Sequence, residues 1–97
     1  MTSKQRAYLK GLASTMEIVV HIGKASLTPE IVSSVNEALE ARELIKVGVL
    51  KNCADDPKDI AQIIAERTHA AVVHVIGKKI VLYRPKKDKP GIKLPLI

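Results

Sequence analysis

Apolar and polar positions along the chain follow two periods, and the switches between them mark out seven elements. From Ser3 to about Ser14, Leu9, Leu12, Ala13 and Met16 share one face at a 3.6-residue period, with Tyr8 at its border. This predicts an amphipathic helix with Ser3 as its N-cap, slightly weakened by Gly11. Ile18 to Ile22 is a β-branched run closed by Gly23, the pattern of a strand that meets a turn. Thr28 then supplies an N-cap and Pro29 a first helical position, with Glu30 in the first turn, where it favours the helix dipole. Ile31, Val32, Val35, Ala38 and Leu39 repeat at helical spacing to about Ala41. Glu43 to Leu50 reads as a strand with Ile45, Val47 and Val49 on one face and Lys46 and Gly48 on the other.

The start signal recurs at Asp56 and Pro57, and the helix it opens continues through Ile60, Ala61, Ile64 and Ala65 to about Thr68. Ala71 to Ile76 and Lys79 to Arg84 are predicted strands joined by a hairpin at Gly77-Lys78. Pro85 stops the last strand, and Lys86 to Ile97 reads as an irregular, basic tail. The order is therefore α-β-α-β-α-β-β. Alternating strands and helices imply partly parallel pairing, and the hairpin adds an antiparallel edge. The expected architecture is an α/β two-layer sandwich: three helices over a four-stranded mixed sheet around one core, in a single domain over residues 1–85.

Composition narrows the class. The chain has 97 residues, is rich in Val, Ile, Leu and Ala, and has only Tyr8 and Tyr83 as aromatics. No apolar run approaches the length of a bilayer span, and residues 1–6 lack a secretory pattern. The single Cys53 excludes an internal disulfide, so a cytoplasmic location is the expectation. The formal net charge is +6, and it is sorted: +3 over residues 1–27, −3 over residues 28–77 and +6 over residues 78–97. Basic ends around an acidic middle suit a polyanionic partner, although a solvated surface with a cationic tail would give the same balance.

Catalytic or metal chemistry has little support. His21 and His74 fall in predicted strands and His69 follows a helix whose last turn it could cap; no HxH, HxxxH or CxxC spacing occurs. Asp55, Asp56 and Asp59 lack the alternating ligands of a calcium loop and suit helix capping. Cys53 has no base beside it in sequence, and no nucleotide-binding fingerprint appears. The expectation is a protein that is not an enzyme, with no cofactor, metal, membrane or small-molecule partner.

The informative stretch is His21-Ile22-Gly23-Lys24-Ala25-Ser26-Leu27-Thr28-Pro29. A glycine-initiated loop carries a lysine from a strand to a helix N-terminus, which offers backbone N–H groups, a favourable dipole end and a cation to a phosphate. A glycine turn before a capped helix is also common in α/β proteins without any ligand. Arg6 and Lys10, one turn apart on the first helix, and Lys46, on the far face of its strand, are further basic positions. Tyr83 could stack on a base or pack with Val81 under a neighbouring element.

Five motifs in order resemble a known family. They are Lys4-Gln5-Arg6-x-Tyr8-Leu9, Val20-His21-Ile22-Gly23-Lys24, Leu27-Thr28, Glu37-Ala38-Leu39-Glu40-x-Arg42-Glu43-Leu44-Ile45-Lys46-Val47 and Val75-Ile76-Gly77-Lys78-x-Ile80-Val81-Leu82-Tyr83-Arg84-Pro85. Over about residues 3–85 the chain resembles the YhbY-like proteins, stand-alone bacterial forms of the CRM domain named for chloroplast RNA splicing and ribosome maturation. The resemblance implies a four-stranded sheet with three helices, similar to the C-terminal domain of a bacterial translation initiation factor. It also implies RNA binding without catalysis, and association with precursors of the large ribosomal subunit. A KH-like GxxG loop would clamp nucleic-acid backbone and maps to Gly23, Lys24, Ala25 and Ser26. The sequence departs from the family at Ser26, where a second glycine is usual; if that position requires φ > 0, serine costs about 1 kcal/mol there.

The expected RNA footprint is Gly23 to Ser26 with Lys4, Arg6, Lys10, Lys46, Lys78 and Arg84, and Lys86, Lys87 and Lys89 form a diffuse cationic arm. The expected partner is ribosomal RNA of a large-subunit precursor, bound by a monomer. A non-catalytic module whose basic ends meet an acidic protein partner is the alternative. A small hydrolase or transferase using Cys53 or a histidine is a second.

Overall fold

Thr2, rather than the expected Ser3, caps the first helix in the computed structural model, which describes residues 1–88 and 90–95. Thr2 is extended and stands three residues before Gln5, so the two close a capping box. The Thr2 hydroxyl accepts from the Gln5 amide (3.1 Å), and the Thr2 amide donates to the Gln5 side chain (3.0 Å). Ser3 is already helical and has no such reciprocal partner.

The elements are α1 (Ser3–Ala13), β1 (Ile18–Ile22), α2 (Pro29–Arg42), β2 (Leu44–Val49), α3 (Pro57–Thr68), β3 (Ala71–Ile76) and β4 (Lys79–Tyr83), in the predicted order. Thr28 and Asp56 cap α2 and α3, each followed by proline. The sheet order is β1-β2-β4-β3, with β1 parallel to β2 and both other pairings antiparallel. Glu43 does not begin the strand as expected. It is the C-cap of α2, at φ 65°, where the chain reverses abruptly.

Alternation on the central strands β2 and β4 gives the sheet two apolar faces. Val20, Ile22, Ile45, Val47, Ile80 and Leu82 point to one side, where they pack against Val35 and Leu39 of α2 and Ile60, Ala61 and Ile64 of α3. Leu44, Val81 and Tyr83 point to the other, where they meet Val73 and then Leu9 and Ala13 of α1. The expected two-layer sandwich therefore describes α2 and α3 over the sheet. A single core does not describe the whole, because α1 covers part of the opposite face with a second, smaller cluster. Leu12, expected on the buried stripe of α1, is 38% exposed, since Leu9 and Ala13 take the contact line one turn apart. Tyr83 is buried in this second cluster, which favours packing over base stacking.

The segment after Pro85 has no regular secondary structure among the described residues, yet it is tied down. The buried Glu43 carboxylate accepts from the Gly91 and Ile92 amides, Gln5 donates to the Pro95 carbonyl (2.9 Å), and Ile92 and Leu94 pack on the α1 side. Lys89 of the expected cationic arm lies outside the described residues.

Arg84 closes the lower end of the main core. Its guanidinium donates to the Asn36 side chain (2.6 Å), the Thr68 carbonyl (2.8 Å) and the Asn36 carbonyl (3.2 Å), and so joins α2, α3 and the end of β4. Its pairing with Glu40 at 3.3 Å adds little, because the Glu40 side chain is 84% exposed. Replacing Arg84 with alanine should lower the unfolding free energy by about 1–2 kcal/mol in urea titration, mainly through the unpaired carbonyls.

Burial, and then the nearby Glu43 charge, raise the Tyr83 phenol above its ordinary value of 10.0. Above pH 10 the unfolded chain releases this proton while the folded one retains it, so stability contributed below pH 10 is lost as pH rises. Tyr83→Phe should make the fall in urea midpoint between about pH 9 and 11 shallower.

Candidate nucleic-acid interface

Strand direction decides which residues meet. β1, β2 and β3 run the same way and β4 runs against them, so the Gly23–Ser26 loop, the Leu50–Asn52 turn and the Gly77-Lys78 hairpin gather at one end of the sheet. The Leu50 amide donates to the Ile22 carbonyl (2.8 Å) and the Val49 amide to the Lys78 carbonyl (2.7 Å), which locks the three turns together. α2 and α3 also begin here, so their positive dipole ends face the same direction. Lys24, Lys51, Lys78 and Lys79 are exposed cations at this end.

The loop is a tight turn in which the Ser26 amide donates to the Gly23 carbonyl (2.9 Å). Among the described residues no protein acceptor meets the Lys24 or Ala25 amide. Ser26 takes φ 56°, the left-handed region that glycine occupies without penalty. Serine therefore stands where the backbone asks for glycine, and it keeps the turn at a local cost of about 1 kcal/mol. Gly23 is different. It is not in the left-handed region, and an added Cβ would lie 3.6 Å from Leu50 Cδ1 and 3.7 Å from Asn52 Oδ1, ordinary contacts. Neither backbone geometry nor packing requires glycine at position 23.

The charge of this end is polarised. On the helix side, a groove of about 590 Å³ beside Ser26 and Leu27 is lined by Asp55 and Asp59 of the α3 start, with Ile63 and Arg67. On the outer side of the sheet the rim is cationic. The Gly77-Lys78 hairpin uses Gly77 at φ 56°, the positive φ that the first position of a type II′ turn needs.

The remaining predicted positions do not all join this end. Lys4 and Lys10 are exposed on α1, and Lys46 is half-buried on the outer sheet face, level with Ile18 and Val81. Arg6 donates to the carbonyls of Val72 (2.7 Å) and Val73 (2.8 Å) at the β3 bulge, holding α1 to an edge strand. Arg84 lies beyond the opposite end of β4, roughly 15–20 Å away along the strands, and its donors are spent inside the fold. Sequence pattern missed Lys79 and Lys51. The alternation that places Lys79 on one face with Val81 and Tyr83 was the available signal for the first.

His21 is exposed on the outer face, His69 is the left-handed C-cap of α3, and Cys53 is a buried free thiol. Among the described residues no three His, Cys, Asp or Glu side chains converge as a metal site, and no helix is long and apolar enough to cross a membrane.

A mixed sheet with helices on both faces and a basic loop end defines the class of domain, and sequence comparison assigns it. Residues 1–84 match the CRS1/YhbY (CRM) domain, and the chain belongs to that family. It is similar to the probable RNA-binding protein YqeI of Bacillus subtilis, with 38% identity over 98% of this chain and 99% of the relative. An RNA-binding protein of Haemophilus influenzae is also 38% identical, over 98% of this chain and 95% of its own. The solution structure of the hypothetical protein SAV1595 from Staphylococcus aureus superposes with a TM-score of 0.83 at 41% identity, covering 98% and 99% of the two chains.

Two substitutions check the loop geometry. Ser26→Gly should raise the unfolding free energy by up to about 1 kcal/mol, less than the strain relieved because glycine is freer when unfolded. Ser26→Val, β-branched in the left-handed region, should lower it by about 1 kcal/mol or more.

Proposed function

We propose that the protein binds RNA at the Gly23–Ser26 end of the sheet. The RNA would be ribosomal RNA in precursors of the large subunit, bound by a cytoplasmic, monomeric assembly factor that performs no catalysis. The observation that carries the reading is Gly23. The fold would accept a methyl group there, so the bare backbone is explained by something outside the fold that approaches closely. An RNA phosphate fits that approach. It would meet the unpaired Lys24 and Ala25 amides, the dipole end of α2, and the Lys24 and Lys78 ammonium groups. The names of the relatives and the known chemistry of the family support the same partner class.

The inward-turned arginines alter the footprint. Arg84 acts on RNA through the fold it stabilises, Arg6 is exposed but commits one guanidinium nitrogen to the β3 carbonyls, and the contact charge at the loop end is supplied by lysines. Backbone and shape, rather than base identity, would set most of the affinity.

Salt titration of RNA binding tests this directly. Lys24→Ala with Lys78→Ala should reduce the slope of log affinity against log salt by roughly 1.4 for single-stranded RNA. Arg84→Ala should leave the slope unchanged. Gly23→Ala should keep stability within about 1 kcal/mol of the parent while weakening RNA binding. An unchanged slope in the lysine double variant, together with unchanged affinity in Gly23→Ala, would remove the loop from the interface. Sedimentation of cell extract addresses the ribosomal part: the protein should travel with large-subunit precursors, and RNA digestion should release it. Co-sedimentation that survives digestion would point to an acidic protein partner instead.

A further inference from the structure

On the outer face of the sheet, the half that α1 leaves uncovered forms an open trough of about 480 Å³. Its floor is Ile18 and Gly48, its sides are His21 and Ile76, and its rim carries Lys78 and Lys79. We infer that this trough takes one unstacked nucleotide of a single-stranded RNA segment, with the base on the floor beside the His21 ring and its phosphate on Lys78 or Lys79. The inference rests on the RNA-binding reading above and adds to it the strand state of the ligand and a second contact.

Gly48 builds the floor. A Cβ at this position would lie 2.9 Å from Ile18 Cδ1, 3.1 Å from Ile18 Cγ2 and 3.5 Å from His21 Cδ2. Without it, Ile18 and His21 lie down on β2, and the register that pairs His21 with Gly48 and Gly48 with Lys79 sets ring, floor and cation in one row across three strands. Ile76 pairs with Lys79 and extends the row to the edge strand, where it is 60% exposed. With Ile18 and Leu50, which also line the trough, it makes a contiguous apolar surface that a partner can cover.

The chemistry selects among partners. An aliphatic peptide would satisfy the floor but has no use for the lysines. An acidic peptide would satisfy the lysines but brings no flat apolar face. A nucleotide supplies both a planar base and a phosphate, and the trough's volume lies in the range of small-ligand sites. Histidine is among the side chains on which unstacked bases pack. No acidic residue lines the trough among the described residues, whereas the groove on the other side of the loop contains Asp55 and Asp59. A strand leaving the loop is therefore steered to the outer face. The two contacts are continuous, because Leu50 lines the trough and is also the nearest neighbour of Gly23. A duplex keeps its bases stacked inside, so only a single strand can use the trough.

The test is a nuclear magnetic resonance titration of the full chain with an oligouridine and, separately, with a blunt RNA duplex. The oligouridine should shift the His21, Gly48 and Lys79 amides as well as those of the loop, whereas the duplex should shift the loop alone. His21→Ala should weaken oligouridine binding roughly five- to tenfold with duplex affinity unchanged. Ile76→Glu, a surface change that places a carboxylate at the trough, should do the same without loss of the folded spectrum. Loop shifts alone with oligouridine, or unchanged affinity in both variants, would overturn the trough and leave the RNA reading standing. Absence of shifts with either RNA would overturn both. Equal trough shifts with polyglutamate would assign the face to an acidic protein partner and overturn the nucleotide.

Discussion

Leu44 through Gly48 pair with Tyr83 back to Lys79, and this antiparallel ladder between the two central strands fixes what each side of the sheet can do. Ile45, Val47, Ile80 and Leu82 fall on one side and are sealed by α2 and α3. Leu44, Val81 and Tyr83 fall on the other, where α1 reaches only their end of the sheet. A slip of one residue would exchange these rows, burying Lys46 and Lys79 and exposing the main core. The register that stabilises the fold is therefore also the register that keeps lysines and histidines on the open half of the outer face.

The same ladder separates stabilising charge from available charge. Cations near the start of β2 and the end of β4 are drawn into the structure: Arg84 joins two helices, and Arg6 pins α1 to the β3 bulge. At the other end, four lysines on three adjoining turns have neither a carboxylate nor a carbonyl partner among the described residues. Like charges gathered at one edge repel one another, a cost that a polyanion with its own counterions to release can offset. The dipole ends of α2 and α3 add to the field there, while Asp55 and Asp59 bias it toward the outer face.

Element order, both proline-led helices, the hairpin and the loop were legible in the sequence, because each has a local cause: a cap, a period or a glycine. What was not legible depended on tertiary partners. The start of α1 was misplaced by one residue because Thr2 and Ser3 are both good caps, and only the reciprocal bond to Gln5 distinguishes them. Packing of Tyr83 with Val81 under a neighbouring element was one of two readings open in the sequence, but that the covering element is α1, with Leu44 and Val73 in the same cluster, was not legible because that helix precedes them in the chain. For Arg6 and Arg84 the sequence shows a cation but not the carbonyls it meets, so their part in the fold was not legible. Ser26 could be flagged from resemblance, whereas its left-handed φ required the fold. Strand alternation could have flagged Lys79, whereas the trough at Gly48 emerges only when four strands are placed side by side.

Amide hydrogen exchange with and without RNA tests docking on the three turns at one end of the sheet over the whole chain in one experiment. Docking there should slow exchange in residues 22–28, 50–52 and 76–79 and leave Arg84, Gly91 and Ile92 unchanged, since their amides bond to Glu43 at the opposite end. Protection concentrated at residues 84–95 or along α1, with the three turns unchanged, would contradict it.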